Sequence, residues 1–395
     1  MKNIFASLVL TLAATVSLVR SIDVATCEEF AAVDRKVETE VTVTNAVFSC
    51  EEYTRLSIRS DMALKSSAGP VTFSNLALKI YGSLTVEMNV EFTGIELVEK
   101  NGGALKLEFG AVGVFKGKAT FNGNSIITTT LLESSAEAIP WADEEIGRKG
   151  GAIHNKGDLT FEKDAVFTNN LNDREEYGSG PGGAISNHVK GTMTFMGSLN
   201  MTGNTADDYY GGAEGGAFFN RGDVVVDGEA VFTDNFGGRG GAIYQEKWGT
   251  FVFNSFATFD DNRCIDTFGG GIANFGGVFD FKAGSSWVDQ TGDNSGDGGI
   301  GGAIYNENGG VITLEGPTEF KRNYALWGGA IANLISPLLY SQEDYTVNTY
   351  KIPTITYPDD TIFEDNGDFD KYCPDVVYEL DEETCGLLMG ILSAD

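Results

Sequence analysis

Gly-Gly-Ala followed by an apolar residue begins at Gly102, Gly150, Gly182, Gly215, Gly240, Gly301 and Gly328, and a copy with Gly271 in the alanine place begins at Gly269. After the first long interval, successive copies start 25 to 33 residues apart. A second signal alternates with the first: an aromatic residue three before an Asn, at Phe121/Asn124, Phe167/Asn170, Phe232/Asn235, Phe259/Asn262, Phe320/Asn323 and Phe363/Asn366. Met201/Asn204 and Trp287/Gln290 are looser copies. A fixed period of this size is the mark of a solenoid, in which each repeat buries its apolar face only against its neighbours.

Each unit carries three short segments of strand character separated by turn residues, so one unit reads as one coil with three sides. The expected architecture is all-β: a right-handed parallel β-helix with about three strands per coil. In the middle segment Leu159/Phe161, Met193/Phe195, Val224/Val226, Phe251/Phe253, Phe279/Phe281 and Ile312/Leu314 alternate with polar or β-branched residues, and this set fills the core. In the closing segment Ala165/Phe167, Ala230/Val231/Phe232 and Ala257/Phe259 face inward in the same way. Stacking of coils makes one column of Phe167, Phe232, Phe259 and Phe320. The glycine pairs mark turns where a side chain would cost too much. Asn155, Asn187, Asn220, Asn274, Asn306 and Asn333 follow the first strand at one offset and read as a structural asparagine ladder.

The paired Gly-Gly-Ala-Ile and Phe-x-x-Asn motifs resemble the repeats of the chlamydial polymorphic membrane proteins, surface adhesins built on β-helix passengers of autotransporters. The resemblance covers roughly residues 101–366. It implies the solenoid and adhesion. It does not extend to autotransport, because the 29 residues after Asn366 lack the repeated alternating strands of an outer-membrane barrel.

The ends are read separately. Lys2 opens an apolar run over residues 4–19 that is short and broken by Thr and Ser, the form of a secretory signal peptide cleaved near Ser21 rather than of a membrane anchor. Residues 22–100 form an N-terminal cap and irregular first coils, 101–366 the repeats, and 367–395 an acidic C-terminal cap. Thr26 and Glu29 make a capping box for a short helix over residues 27–34, placed to plug the open end, and residues 41–48 form the first strand. In an exported protein Cys27 pairs with Cys50 and Cys373 with Cys385, which leaves Cys264 as a buried, inert thiol.

The net charge of −30 excludes a general nucleic-acid binder. The insertions are the most informative departures from the repeat: residues 125–149, 171–181, 205–214, 263–268 and 291–300 all lie between a closing Asn and the next Gly-Gly. They leave one corner as a ridge of acidic, aromatic loops, and rigid scaffolds commonly carry recognition on such loops. The candidate ligand-binding residues there are Trp141, Tyr177, Asp207, Asp208, Tyr209 and Tyr210.

Weaker signals are a calcium-loop-like run with Asp293, Ser295 and Asp297, and a glycosylation sequon at Asn200. Arg221-Gly222-Asp223 occupies the same turn as Lys156-Gly157-Asp158 and is a repeat turn. His154 and His188, the only two histidines, offer little for a zinc or Ser-His site. β-Helices also serve polysaccharide lyases and glycoside hydrolases, but neither the Gly-His-Gly nor the Arg-x-Lys signature of the polygalacturonase-like enzymes is present. The expected function is a secreted or cell-surface, non-catalytic adhesion module for a surface protein or glycan, with no transmembrane segment in the mature chain. The alternative is a polysaccharide lyase or glycoside hydrolase.

Overall fold

A computed structural model describes residues 20–33, 39–98, 102–128, 149–174, 180–208, 213–265, 268–292, 299–325, 328–334, 353–368 and 376–378. Their architecture is all-β: parallel strands stacked coil upon coil into long sheets, as in a β-solenoid. Among the described residues the strands make sheets of 12, 20 and 9 members, and every named pairing within them is a parallel one between neighbouring coils.

A regular coil has four strands, one more than the sequence suggests. Ile153–Asn155, the first strand, is followed by Asp158–Phe161 in the middle, Ala165–Thr168 as the closing strand and then Leu171–Arg174. The last belongs to the nine-stranded sheet. Residues read as the roots of insertions, Ser125–Thr128, Leu171–Arg174, Thr205–Asp208, Arg263–Cys264 and Thr291–Gly292, are therefore wall and not loop. Their side chains carry no apolar alternation strong enough to show in the sequence. What holds them is the backbone ladder that begins at the closing Asn and continues from coil to coil.

The inward set is as the alternation requires. Leu159 and Phe161 are buried while Asp158 is exposed, and Ala165 and Phe167 are buried beneath a half-exposed Val166 and Thr168. Val231 lies between Ala230 and Phe232 and faces outward, since adjacent strand residues point to opposite sides. Pairing in register puts Phe167, Met201, Phe232, Phe259, Trp287 and Phe320 in one file. Within it the Phe232 and Phe259 rings stack at 4.9 Å, Phe259 and Trp287 at 4.0 Å, and Trp287 and Phe320 at 5.7 Å. Each such stack adds roughly 0.5 to 1.5 kcal/mol to what burial alone contributes.

Two asparagine ladders run beside the column. At the closing corner the Asn204 amide donates to the Phe167 carbonyl and to Asn235 Oδ1, both at 3.0 Å, while Asn204 Oδ1 accepts from the backbone and side-chain amides of Asn170. After the first strand Asn155, Asn187 and Asn220 donate in turn to Asn187, Asn220 and Gln245. Gln245 interrupts this second ladder: its Nε2 is buried without an acceptor, and Asn274 starts a new run to Asn306 and Asn333. Glycine accompanies the ladders because there is no room for more. A Cβ on Gly183 would lie 2.0 Å from the Gly216 carbonyl oxygen of the next coil, and its neighbour Gly182 has φ +78.

The N-terminal coils are simpler. Val47–Ile58 and Val71–Ile80 each run through the closing and the first ladders as a single strand, so the fourth strand and its corner are missing there. The first two strands, Arg20–Val24 and Thr39–Val43, pair in the middle sheet, and a turn separates the second from Val47, so residues 41–48 are not one strand. The helix Cys27–Ala32 carries the Thr26/Glu29 capping box. Its Phe30 is fully buried and meets Phe48 edge-on at 5.9 Å, at the start of the aromatic column. Cys27 and Cys50 are disulfide-bonded. Cys373 and Cys385 lie outside the described residues, and Cys264 is buried.

Candidate functional site

The outer side of the first-strand ladder differs from every other outer face. Alternate residues that should be solvated are covered along three parallel files. One file, in register, is Lys106, His154, Ser186, Phe219, Tyr244, Ala273, Tyr305 and Ala332. Two residues further on, Glu108, Lys156, His188, Arg221, Glu246, Phe275 and Glu307 continue the same pairing into the turn. At the mouth of the strand Glu214 pairs with Arg239 and Phe268 with Ile300. The polarity is graded along the axis. The earlier coils are cationic, the central ones mixed, and the later ones aromatic, where Phe219, Tyr244, Phe268, Phe275 and Tyr305 form a cluster separate from the core.

In the cationic section Lys79 and Lys106 both meet Glu108 at 2.9 Å. Burial alone would push the Glu108 carboxyl up, but hydrogen bonds from these two lysines outweigh it and hold the group below its usual range. Beside Lys106, His154 is fully buried with no hydrogen-bond partner for either ring nitrogen among the described residues. Burial, then the charges of Lys149, Lys156 and Lys106, holds its pKa well below the ordinary imidazole value, so the ring is neutral.

In the mixed section Arg221 meets Glu246 at 2.6 Å, and Arg239 lies 4.0 Å from Glu214. The Glu214 side chain is 16% exposed, and its pKa is pushed up to about 7 by burial first and by the nearby Glu246 second, against the pull of Arg239. Near neutral pH this carboxyl is partly protonated and can donate a hydrogen bond or a proton.

The corner between the first strand and the middle sheet carries three large exposed aromatics: Tyr81 at 37%, Phe109 at 50% and Trp248 at 69% exposure. Each has a cation over its ring. Arg59 lies 4.8 Å from the Tyr81 centroid, Lys156 5.0 Å and Lys190 5.5 Å from that of Phe109, and Lys247 5.0 Å from that of Trp248. Trp248 is also strained. Counting back from the paired middle strands, it stands in register with Gly110, Gly276 and Gly309, and it takes φ +74 where those glycines have +75, +88 and +75. A left-handed backbone costs a residue with a Cβ roughly 1 to 2 kcal/mol, so a glycine position filled by an exposed indole is unfavourable for the fold alone.

These three aromatics were within reach of the sequence. Each directly precedes a glycine in the turn after the first strand, Tyr81-Gly82, Phe109-Gly110 and Trp248-Gly249, but attention to the insertions passes over so short a turn.

The residues picked out by the sequence fall elsewhere. Trp141, Tyr177, Tyr209 and Tyr210 of the expected ridge, and Asp293, Ser295 and Asp297 of the calcium-like run, lie outside the described residues. Asp207 and Asp208 belong to the strand Thr205–Asp208 and are part of the wall. The undescribed stretches 129–148, 175–179, 209–212, 266–267, 293–298 and 326–327 each join a strand of the nine-stranded sheet to a Gly-Gly start, so their ends are brought to one stacked edge, beside the Glu214 and Arg239 file. Asn200 is exposed on the closing strand Leu199–Thr202 and accepts a hydrogen bond from Thr202 at 2.7 Å. In Arg221-Gly222-Asp223 the glycine is a packing requirement, since a Cβ there would lie 2.1 Å from the Gly191 carbonyl oxygen. Among the described residues no cluster of His, Cys, Asp and Glu could hold a metal ion, and no helix is long and apolar enough to cross a membrane.

Comparison with protein families, with curated proteins and with solved structures finds no match to this chain.

Proposed function

We propose that the chain is a right-handed parallel β-helix that works as a non-catalytic binding module at the cell surface or outside the cell, holding a surface protein or glycan. The observation that carries this reading is the corner with Tyr81, Phe109 and Trp248, where exposed aromatics and cations gather on one line of an otherwise acidic protein. The Trp248 backbone adds to it, because local strain retained by a rigid scaffold accompanies sites of use. The apolar N-terminal run supports export. The likeness of the repeats to the chlamydial surface proteins supports adhesion. The short helix at Cys27–Ala32, with Phe30 on the end of the column, acts as the N-terminal cap.

The test is a glycan and protein array probed with the purified chain, with and without calcium, followed by shortening of residues 129–148 and 209–212. Specific retention by one ligand class, without turnover, is the expected result. Loss of retention on shortening with unchanged melting would place the contact on the inserted ridge. Calcium-dependent retention would bring Asp293, Ser295 and Asp297 into the site.

Glu214 favours a second reading, cleavage of a polysaccharide. A carboxyl with a pKa near 7 beside a second carboxylate, Glu246, is the kind of acid that a glycoside hydrolase uses. Turnover of a polysaccharide that disappears in Glu214→Gln would replace the binding reading with this one.

A further inference from the structure

We propose that the corner formed by Tyr81, Phe109 and Trp248 binds an anionic saccharide chain lying along the solenoid axis, its sugar faces on the exposed rings and its carboxylates or sulfates on Arg59, Lys190 and Lys247 beside them. This rests on the reading of the chain as a binding module and gives that module its ligand class.

The charge pairing points this way. Elsewhere on the described surface cations are largely matched by acids: Lys65 with Glu40, Lys116 with Glu87, Lys282 with Asp280, Lys321 with Glu319, and Arg322 with Asp289. At this corner Arg59, Lys156, Lys190 and Lys247 each lie over an aromatic ring without an ion pair to a carboxylate among the described residues, whereas Lys79, 4.7 Å from the Tyr81 centroid, pairs with Glu108 and Arg221 pairs with Glu246. A net charge of −30 would by itself repel a polyanion. Over a screening length of about 8 Å at physiological salt, however, a ligand at the corner responds to the charges nearest it, where Arg59, Lys79, Lys156, Lys190, Arg221 and Lys247 outnumber Glu108 and Glu246.

The spacing also fits an extended ligand. Coils rise about 4.8 Å each, and Tyr81, Phe109, Lys156, Lys190, Arg221 and Trp248 follow one another on successive coils, so the line is roughly 24 Å long. Sparse cations flanked by flat apolar rings suit an acidic sugar chain better than a nucleic acid, whose denser phosphates would also face the acidic remainder of the surface.

The experiment titrates the full chain, in the presence of a chelator, with oligogalacturonate, a heparin-derived oligosaccharide and a neutral glucan of equal length, following indole fluorescence and heat. One or both anionic probes should bind at least tenfold tighter than the neutral one and weaken with added salt. Lys190→Glu, Lys247→Glu and Trp248→Ala should each lower that affinity several-fold at unchanged melting temperature, and Phe109→Tyr should keep it.

The proposal is overturned if the neutral glucan binds as well as both anionic probes, if neither anionic probe binds, or if the three variants melt like the parent and keep full affinity. Retention of a protein or a neutral glycan on the array, with no binding of the anionic probes, would sink this inference and leave the binding reading standing. Cleavage of a bound anionic probe would keep the ligand class and remove the non-catalytic reading.

Discussion

Aromatic side chains occupy two settings in this protein, the interior column and the outer corner, and they obey different rules. Inside, the file through Phe167, Phe232, Phe259, Trp287 and Phe320 recurs in nearly every coil, is fully buried and has its rings parallel. At the corner, Tyr81, Phe109 and Trp248 occur in three coils only, are exposed, and are partnered by cations from neighbouring positions. What repeats serves the solenoid, because each coil must satisfy the same neighbours. What departs from the repeat within one short turn is free to serve something else. Trp248 is the clearest case, since its left-handed backbone is the one that Gly110, Gly276 and Gly309 supply in three other coils.

The comparison breaks most visibly in the column. Phe259→Ala should cost about 3 to 5 kcal/mol, read as a lowered urea midpoint, because the ring lies between Phe232 at 4.9 Å and Trp287 at 4.0 Å with nothing to fill its place. A variant that melts within a degree or two of the parent would mean that the register is wrong.

The closing ladder should respond next. Asn204→Ala removes two donated hydrogen bonds and leaves the buried Asn170 backbone N–H without its acceptor, while the Asn170 side-chain amide keeps only the Phe121 carbonyl, a loss of about 2 to 4 kcal/mol by the same measurement. An exposed Asn such as Asn200 should be replaceable with almost no effect, which sharpens the contrast between ladder and surface.

On the outer wall the expected signature is a pH dependence. Burial raises the folded-state pKa of Glu214 from 4.5 to about 7. Below about pH 4.5 the carboxyl is protonated in both the folded and the unfolded chain, and its contribution is fully present. As pH rises through 7 the unfolded chain has already released the proton that the folded chain must give up at a cost, so stability falls by about 1 to 3 kcal/mol over that window. Glu214→Gln should flatten the fall relative to the parent between pH 4.5 and 8. Parallel pH profiles for the two proteins would show that Glu214 ionises as it would in water.

Much of the interior was legible in the sequence because its chemistry repeats: Leu159/Phe161 and Ala165/Phe167 alternate, and Asn170 recurs as Asn204, Asn235 and Asn262. The fourth strand was not, because Leu171–Arg174 and Thr205–Asp208 are held by backbone pairing and mix polar with apolar side chains. That omission made strand residues such as Asp207 look like loop. The corner aromatics were missed for a different reason. Phe109 and Trp248 acquire their partners from other coils or from the turn itself, and a cation over a ring leaves no spacing to read along the chain.

The most direct test of the division between repeated and unrepeated aromatics is the urea unfolding midpoint of Trp248→Gly. Glycine removes the left-handed strain at φ +74 while adding some entropy to the unfolded chain, so the change should lie within about 1 kcal/mol of zero. The account predicts a midpoint equal to or slightly above that of the parent, together with loss of the corner's ligand. A midpoint lowered as far as that of Phe259→Ala would show that Trp248 belongs to the fold, and would contradict it.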